Sequence, residues 1–208
     1  ACEISKHINV ELISVDSIMV YKGLNIGTAK PTTAELIEHP HHLIDICDPA
    51  ENYSVGRFYE DINELVPKII KRGNIPLLVG GTALYFHCLH NGINSLPESD
   101  AASKKSMINV LDLAKAYAEL CLVDPKAANQ INRNDKQRIF RALEVYRLTG
   151  KPISDYHAEP KMHPGYDFIN IILLPDRAKL KAKIAERFDV MMQNGFIDEV
   201  QSLRSRDD

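Results

Sequence analysis

Three short stretches of this chain carry residues whose types and spacing could do chemistry. The first is Asp16-Ser17, a carboxylate and a hydroxyl that directly follow the apolar run Leu12-Ile13-Ser14-Val15. A buried strand ending in a carboxylate can hold a general base rigidly where ligands of open parallel sheets bind. The same pair also suits a turn or helix cap, so the pattern alone leaves both roles open. The second stretch is Gly80-Gly81-Thr82, after the run Ile75 to Val79. Glycines at a strand-to-helix junction can aim backbone amides at a phosphate or oxyanion, or simply make a tight turn. The third runs from Lys126 to Lys151 and holds seven basic residues against two acidic ones. It could grip a phosphate backbone or be a solvated helix face. Within it Arg138 and Arg141, three apart, are expected side by side on one face.

Weaker signals stand beside these. Asp48 precedes Pro49, which is common turn chemistry. His39, His41 and His42 lack the spacing of a zinc site, and Cys2, Cys47, Cys88 and Cys121 form no CxxC pair, so no protein-bound structural metal is expected. Arg187 alone passes for surface charge.

The elements that must position these residues follow from hydrophobic periodicity and its punctuation. Ala1 to His7 reads as the end of a helix, and a strand runs through Val15. Thr32 or Thr33 caps a short helix, and Leu43 to Ile46 reads as a second strand. Ser54 caps a long amphipathic helix that Gly73 stops and Pro67 should kink or divide. The third strand, Ile75 to Val79, leads into a helix from Ala83 to Asn91. This alternation predicts a parallel α/β sheet with Asp16, Asp48 and Thr82 at strand carboxyl ends. From Pro97 to about Gly150 no strand pattern occurs, and three helices are expected: Ser103 to Leu122, Asp124 to Ile131 and Asp135 to Leu148. Asp167 to Leu174, DFINIILL, reads as a fourth strand. A long helix then opens at Asp176 and ends at Gly195, and another begins near Ile197.

With 208 residues, 45% hydrophobic and 25% charged, the chain can bury a sizeable core. A membrane span needs about 18 consecutive apolar residues, and no run approaches that. The start shows no signal-peptide pattern, and the scattered cysteines fit a reducing, cytoplasmic setting. The net charge of −3 argues against general nucleic-acid affinity, which leaves the local basic stretch as the informative feature.

Taken together, the segments ISVDSIMVYKGLNIGTAKPT, HHLIDICDP, YSVGRF, IPLLVGGTALYF and NDKQRIFRALEVYRLTGKP closely resemble the tRNA dimethylallyltransferases, also called tRNA isopentenyltransferases. They cover nearly all of residues 9–152, and 168–203 fits as well. The resemblance implies a P-loop-kinase-like parallel sheet flanked by helices and interrupted by an all-helical insertion. It divides the chain into core at 1–96, an insertion gripping the tRNA anticodon stem-loop at 97–152, and core again at 153–208. The implied activity moves a dimethylallyl group from dimethylallyl diphosphate to the exocyclic amine of the adenosine 3′ of the anticodon.

By the same resemblance, Asp16 is the general base, and Ser17, Ile18 and Met19 continue its tRNA-contacting loop. Thr82, Lys104, Gln137, Arg138, Ile139, Phe140 and Arg141 match further tRNA-contacting positions, and Arg187 matches an arginine facing the diphosphate. Mg²⁺ and a P-loop lysine are implied for the departing diphosphate. A monomer is expected. The family's Gly-x-x-x-x-Gly-Lys-Thr loop would precede Ala1, so these 208 residues alone are expected to be inactive. Two alternatives remain at this point: a noncatalytic RNA-binding fragment, and a kinase-like phosphotransferase on the same core.

Overall fold

The computed structural model describes residues 1–99 and 112–207. The chain forms two compact units, Ala1–His90 with Pro164–Asp208, and Asn91–His163. In the first, β1 (Val10–Val15) is the middle strand of a three-stranded parallel sheet, between β2 (His41–His42) and β3 (Ile75–Gly80). Leu12, Ile13, Ser14 and Val15 are all buried, as a central parallel strand covered on both faces requires. β1 and β3 pair from Val10 with Ile75 through to Val15 with Gly80. The two strands therefore finish together, and Asp16 and Gly81-Thr82 leave from adjacent ends.

Helix α1 (Cys2–Ser5) precedes β1, and α2 (Thr33–Glu38) starts in a capping box between Thr32 and Glu35. Helix α3 (Val55–Lys71) is capped by Ser54 and buries Phe58, Tyr59, Ile62, Val66 and Ile69 along one side. Each such side chain is worth about 1.5–3 kcal/mol of transfer free energy. Pro67 does not divide this helix. It lies on the exposed side, where the carbonyl it leaves unpaired can meet water. Helix α4 (Ala83–Asn91) buries Tyr85, whose ring stacks on Phe58 with centroids 4.1 Å apart.

Two strand expectations fail. The second strand is not Leu43 to Ile46 but the pair His41–His42, because Leu43 and Asp45 adopt left-handed φ values of 63° and 55° that no ladder accepts. The amides of Asp45, Ile46 and Cys47 bond instead to the carbonyls of Met19 and Val20. The fourth strand does not form. Ile169, Ile171, Ile172, Leu173 and Leu174 are 71–95% exposed. Apolar alternation selects a strand only where another edge can pair with it, and no described residue pairs with this segment.

The second unit holds α5 (Leu113–Val123), α6 (Pro125–Gln130), α7 (Lys136–Thr149) and α8 (Ile153–Ala158). Asp112 caps α5, so that part of the expected Ser103 to Leu122 helix before Asp112 lies outside the described residues. Leu120, Ile139, Phe140, Leu143 and Val145 form its core. Asp124, 2% exposed, accepts from the amides of Ala127 and Ser154, each at 2.9 Å, and so joins α6 to α8. The expected insertion, 97–152, lies inside this unit. The unit's limits are wider because Ile93 and Met162 exchange backbone hydrogen bonds of 3.0 and 2.9 Å where the chain enters and leaves. In the first unit again, α9 (Arg177–Gln193) and α10 (Phe196–Arg204) close the chain.

Glu11 fastens the amino end of β1. Its carboxylate accepts from Arg72 at 2.8 and 2.6 Å, from Asn74 at 2.9 Å, and pairs with His42 at 2.7 Å. The Arg72 guanidinium, helped by Asn74 and His42, outweighs burial and lowers the carboxyl from 4.5 to about 2. A depressed carboxylate stabilises the fold above its unfolded value and loses that stabilisation as it protonates. Glu11→Gln should therefore cost about 1–3 kcal/mol near pH 7 in denaturant unfolding. The difference from the parent should shrink between pH 4.5 and about 2.

Candidate active site

The carboxyl ends of β1 and β3 are locked together by a backbone approach that only glycine permits. A Cβ on Gly80 would lie 2.1 Å from the Val15 carbonyl oxygen. The Thr82 amide donates to that same oxygen at 3.3 Å, and the Ser17 amide donates to Thr82 Oγ1 at 3.1 Å. Gly80-Gly81-Thr82 thus serves as a close-packed turn against β1, and the Thr82 amide is not free for a ligand. The hydroxyl fixes the residue after Asp16.

Asp16 is itself oriented from one side. Its Oδ1 accepts from the amides of Ile18 at 2.8 Å and Met19 at 3.0 Å. No described residue bonds to Oδ2. Tyr85 lies close enough that Asp16, together with Tyr21 and above all burial, pushes its phenol up to about 12. Tyr85 stays a neutral hydroxyl at ordinary pH. Ile18 is 44% exposed, while Val20 is fully buried and anchors the loop's far side.

The loop from Asp16 to Thr32 closes on a buried cation. Lys30 Nζ donates to the Tyr21 carbonyl and to Asp45 Oδ1, each at 2.6 Å, with its side chain only 2% exposed. Asp45 is held opposite by its left-handed backbone. On the other side of this pair lies a cleft of about 480 Å³ lined by Ile26, Lys30, Thr32, Asp45, Arg187 and Met191. Arg187, exposed on α9, borders this cleft, whereas Asp16 does not line it. Asp48 is engaged elsewhere, accepting from the Ala50 amide at 2.9 Å and from Arg206 at 2.6 Å. The histidines are also occupied: His41 bonds the His39 carbonyl at 2.7 Å, and His42 bonds Glu11.

In the second unit, α7 carries Gln137, Arg138, Ile139, Phe140 and Arg141. Gln137 and Arg138 are exposed, whereas Ile139 and Phe140 are core residues at 0% and 1% exposure. Arg138 and Arg141 do not point side by side. Arg141 turns inward to Glu144 at 2.6 Å and to the Pro97 carbonyl at 2.5 Å, and Glu144, 1% exposed, also accepts from Ser99 at 2.8 Å. Arg138 stays outside, 3.5 Å from Asp135. Much of the local basic excess is internally matched: Arg147 meets Glu119 at 2.9 Å, Lys126 lies 3.9 Å from Asp155, and Lys151 pairs with Glu159. Arg133 has no carboxylate partner among the described residues. Lys104 lies outside them.

Sequence reasoning passed over the roles of Tyr85, Lys30, Asp45 and Glu199. A lysine two residues before a helix cap, followed by an aspartate in a near-strand segment, gives no local sign that the two will meet. Arg141→Ala removes the partner of a buried carboxylate, so it should lower the unfolding free energy by about 3–5 kcal/mol. Arg138→Ala, on the exposed side of the same helix, should change it by less than about 0.5 kcal/mol in the same denaturant titration.

A family model described as IPP transferase matches residues 19–208. The tRNA dimethylallyltransferase of Legionella pneumophila (strain Paris) is 49% identical over 211 residues, covering 99% of this chain and 67% of the relative. The crystal structure of the full-length tRNA isopentenylpyrophosphate transferase from Bacillus halodurans is similar with a TM-score of 0.62 and 37% identity, over 99% of this chain and 65% of that one. A eukaryotic dimethylallyltransferase acting on tRNA has a TM-score of 0.79 and 29% identity, over 98% of this chain and 51% of that one. The chain thus spans about two thirds of the length of the curated relatives it matches. On the family model and these relatives, the chain belongs to the IPP transferase family.

Proposed function

We propose that this chain is part of a tRNA dimethylallyltransferase, which moves a dimethylallyl group from dimethylallyl diphosphate to the exocyclic amine of the adenosine 3′ of the anticodon. Relatives named tRNA dimethylallyltransferase, at 43–49% identity over nearly the full chain, support the reaction class. The observation that carries the site assignment is Asp16: one carboxylate oxygen pinned by two amides, the other bonded by no described residue, at the end of the central strand.

In this reading the amine nitrogen attacks the first carbon of the allyl group, and the carbon–oxygen bond to the diphosphate breaks with its electron pair leaving on oxygen. The amine's proton passes to Asp16. An adenine amine is a poor nucleophile, so a positioned acceptor contributes most as the new bond forms. Ser17, Ile18, Met19 and Thr82 form the rim that the flipped-out base meets. Arg187, on the cleft beside Lys30, faces the diphosphate as its charge grows. Gln137 and Arg138, solvent-facing on α7, meet the anticodon stem-loop, while Ile139, Phe140 and Arg141 keep that helix in place beneath them. The core is read as P-loop-kinase-like, which its parallel sheet and strand-end site support. The full-length protein is proposed to act as a monomer.

Mg²⁺ is proposed as the companion of the diphosphate. The described residues contain no group of three or more His, Cys, Asp or Glu side chains that could hold it. They do not form a dedicated cage, and no step above runs through the ion. No helix among the described residues is long and apolar enough to cross a membrane.

In the full-length protein, Asp16→Ala should slow single-turnover prenyl transfer by about 10²–10⁴-fold. Affinity for tRNA in a filter-binding titration should change little; a large affinity loss at unchanged turnover refutes the base assignment. Arg138→Ala should instead weaken tRNA binding and make the slope of log affinity against log salt shallower by about one unit. An unchanged slope means that this face does not meet phosphate.

A further inference from the structure

The Asp16 loop is held at its far end by a residue that lies more than 170 positions later in the chain. Glu199, in the first turns of α10, accepts three consecutive backbone amides: Asn25 at 2.8 Å and Ile26 at 2.7 Å on Oε2, and Gly27 at 2.9 Å on Oε1. Successive amides turned to one side make an anion-binding nest, and here the nest closes on a carboxylate of the same chain. Burial alone raises the Glu199 carboxyl, but the amides of Gly27, Ile26 and Asn25, with Lys30 nearby, together bring it below the ordinary value, so it is charged at neutral pH.

Phe196, three residues earlier and on the same helix face, packs on Gly27. A Cβ there would lie 2.4 Å from its Cε2 atom. Fixed bonds then run back toward the carboxylate of Asp16. Lys30 N donates to the Asn25 carbonyl at 3.0 Å, Lys30 Nζ donates to the Tyr21 carbonyl at 2.6 Å, and Tyr21 N donates to the Ile18 carbonyl at 3.0 Å. Ile18 N is one of the two amides on Asp16 Oδ1.

We infer that Glu199 is a positioning residue for the transfer, holding the 24–30 turn so that Lys30 and the segment behind it keep Asp16 in register. The inference rests on the reading of Asp16 as the base. An ordinary surface glutamate on an exposed helix accepts from water and leaves the loop free. Glu199 instead accepts from the backbone amides of Asn25, Ile26 and Gly27, and it does so with both oxygens. Its effect on chemistry passes through Asp16 rather than through substrate.

The test uses the full-length protein and two measurements. Hydrogen exchange of the 17–30 amides should accelerate in Glu199→Ala, and exchange unchanged from the parent overturns the clasp. Single-turnover transfer at saturating tRNA and donor should fall about 10- to 100-fold, the scale expected for a small misplacement of a catalytic group. The tRNA dissociation constant should move less than about threefold. In an Asp16→Ala background the same change should have almost no further effect, because both act on one step. Multiplying effects in that cycle, or faster exchange with unchanged transfer, overturn the positioning role. Loss of transfer in Asp16→Ala with full transfer in Glu199→Ala sinks the role of Glu199 alone, whereas full transfer in Asp16→Ala sinks the base assignment. Gly27→Ala, which keeps the Glu199 carboxylate but displaces Phe196 next to the Gly27 amide that Glu199 accepts, should reproduce the phenotype in weaker form and serves if Glu199→Ala does not fold.

Discussion

The parallel pairing of β1 with β3 is the constraint on which the rest of the first unit depends. Six residue pairs in register bring two strand ends, 65 residues apart in the chain, to one edge. That edge then has to be closed, and the Gly80 contact with the Val15 carbonyl closes it at a distance no side chain tolerates. Thr82 then takes the Ser17 amide on its hydroxyl, which holds the residue after Asp16 against the end of β3. The place of Asp16 is thus a consequence of sheet geometry, and its carboxylate is oriented by the loop amides of Ile18 and Met19.

Beyond that edge the buried Val20, and Phe196 packed on Gly27, hold the polypeptide together with charged groups. Lys30, buried against Asp45, ties the returning end of the loop to its start, and Glu199 ties the middle of the loop to the last helix. Both are arrangements in which a charged group satisfies backbone atoms that have no ladder partner. A loop rich in glycine and polar residues cannot fix itself by burial. It becomes rigid only when such groups reach in from elsewhere, and this rigidity is what lets one carboxylate oxygen remain available while the other is pinned.

The second unit solves a different problem with similar means. Helix α7 must bury Ile139, Phe140, Leu143 and Val145 yet present polar residues at its amino end. Arg141 and Glu144 fall on the inward side of that division, and their pairing with Pro97 and Ser99 matches a buried carboxylate within its own core. Gln137 and Arg138 fall on the outward side. A helix face that reads as uniformly basic is therefore split into a structural half and an exposed half. The division follows from 3.6-residue periodicity combined with what lies beneath.

The sequence by itself determined the alternation of strands and helices over the first 91 residues, the helix starts at Thr32, Ser54, Asp124 and Asp176, the helical character of the region after Pro97, and the strand-end placement of Asp16 and Thr82, whereas the cap at Asp112 came only with the structure. Those are local or nearly local matters of periodicity and capping. Tertiary structure alone decided the rest. It moved the second strand to His41–His42, because neighbouring carbonyls of Met19 and Val20 claimed the amides that a longer strand would need. It left DFINIILL without a ladder, since an apolar alternation states a preference and another edge must answer it. It turned Arg141 inward and joined Lys30 to Asp45 and Glu199 to the 25–27 turn. The last two pairings span 15 and 174 residues, and which charge meets which group is settled only when the chain has folded and water has been removed between them.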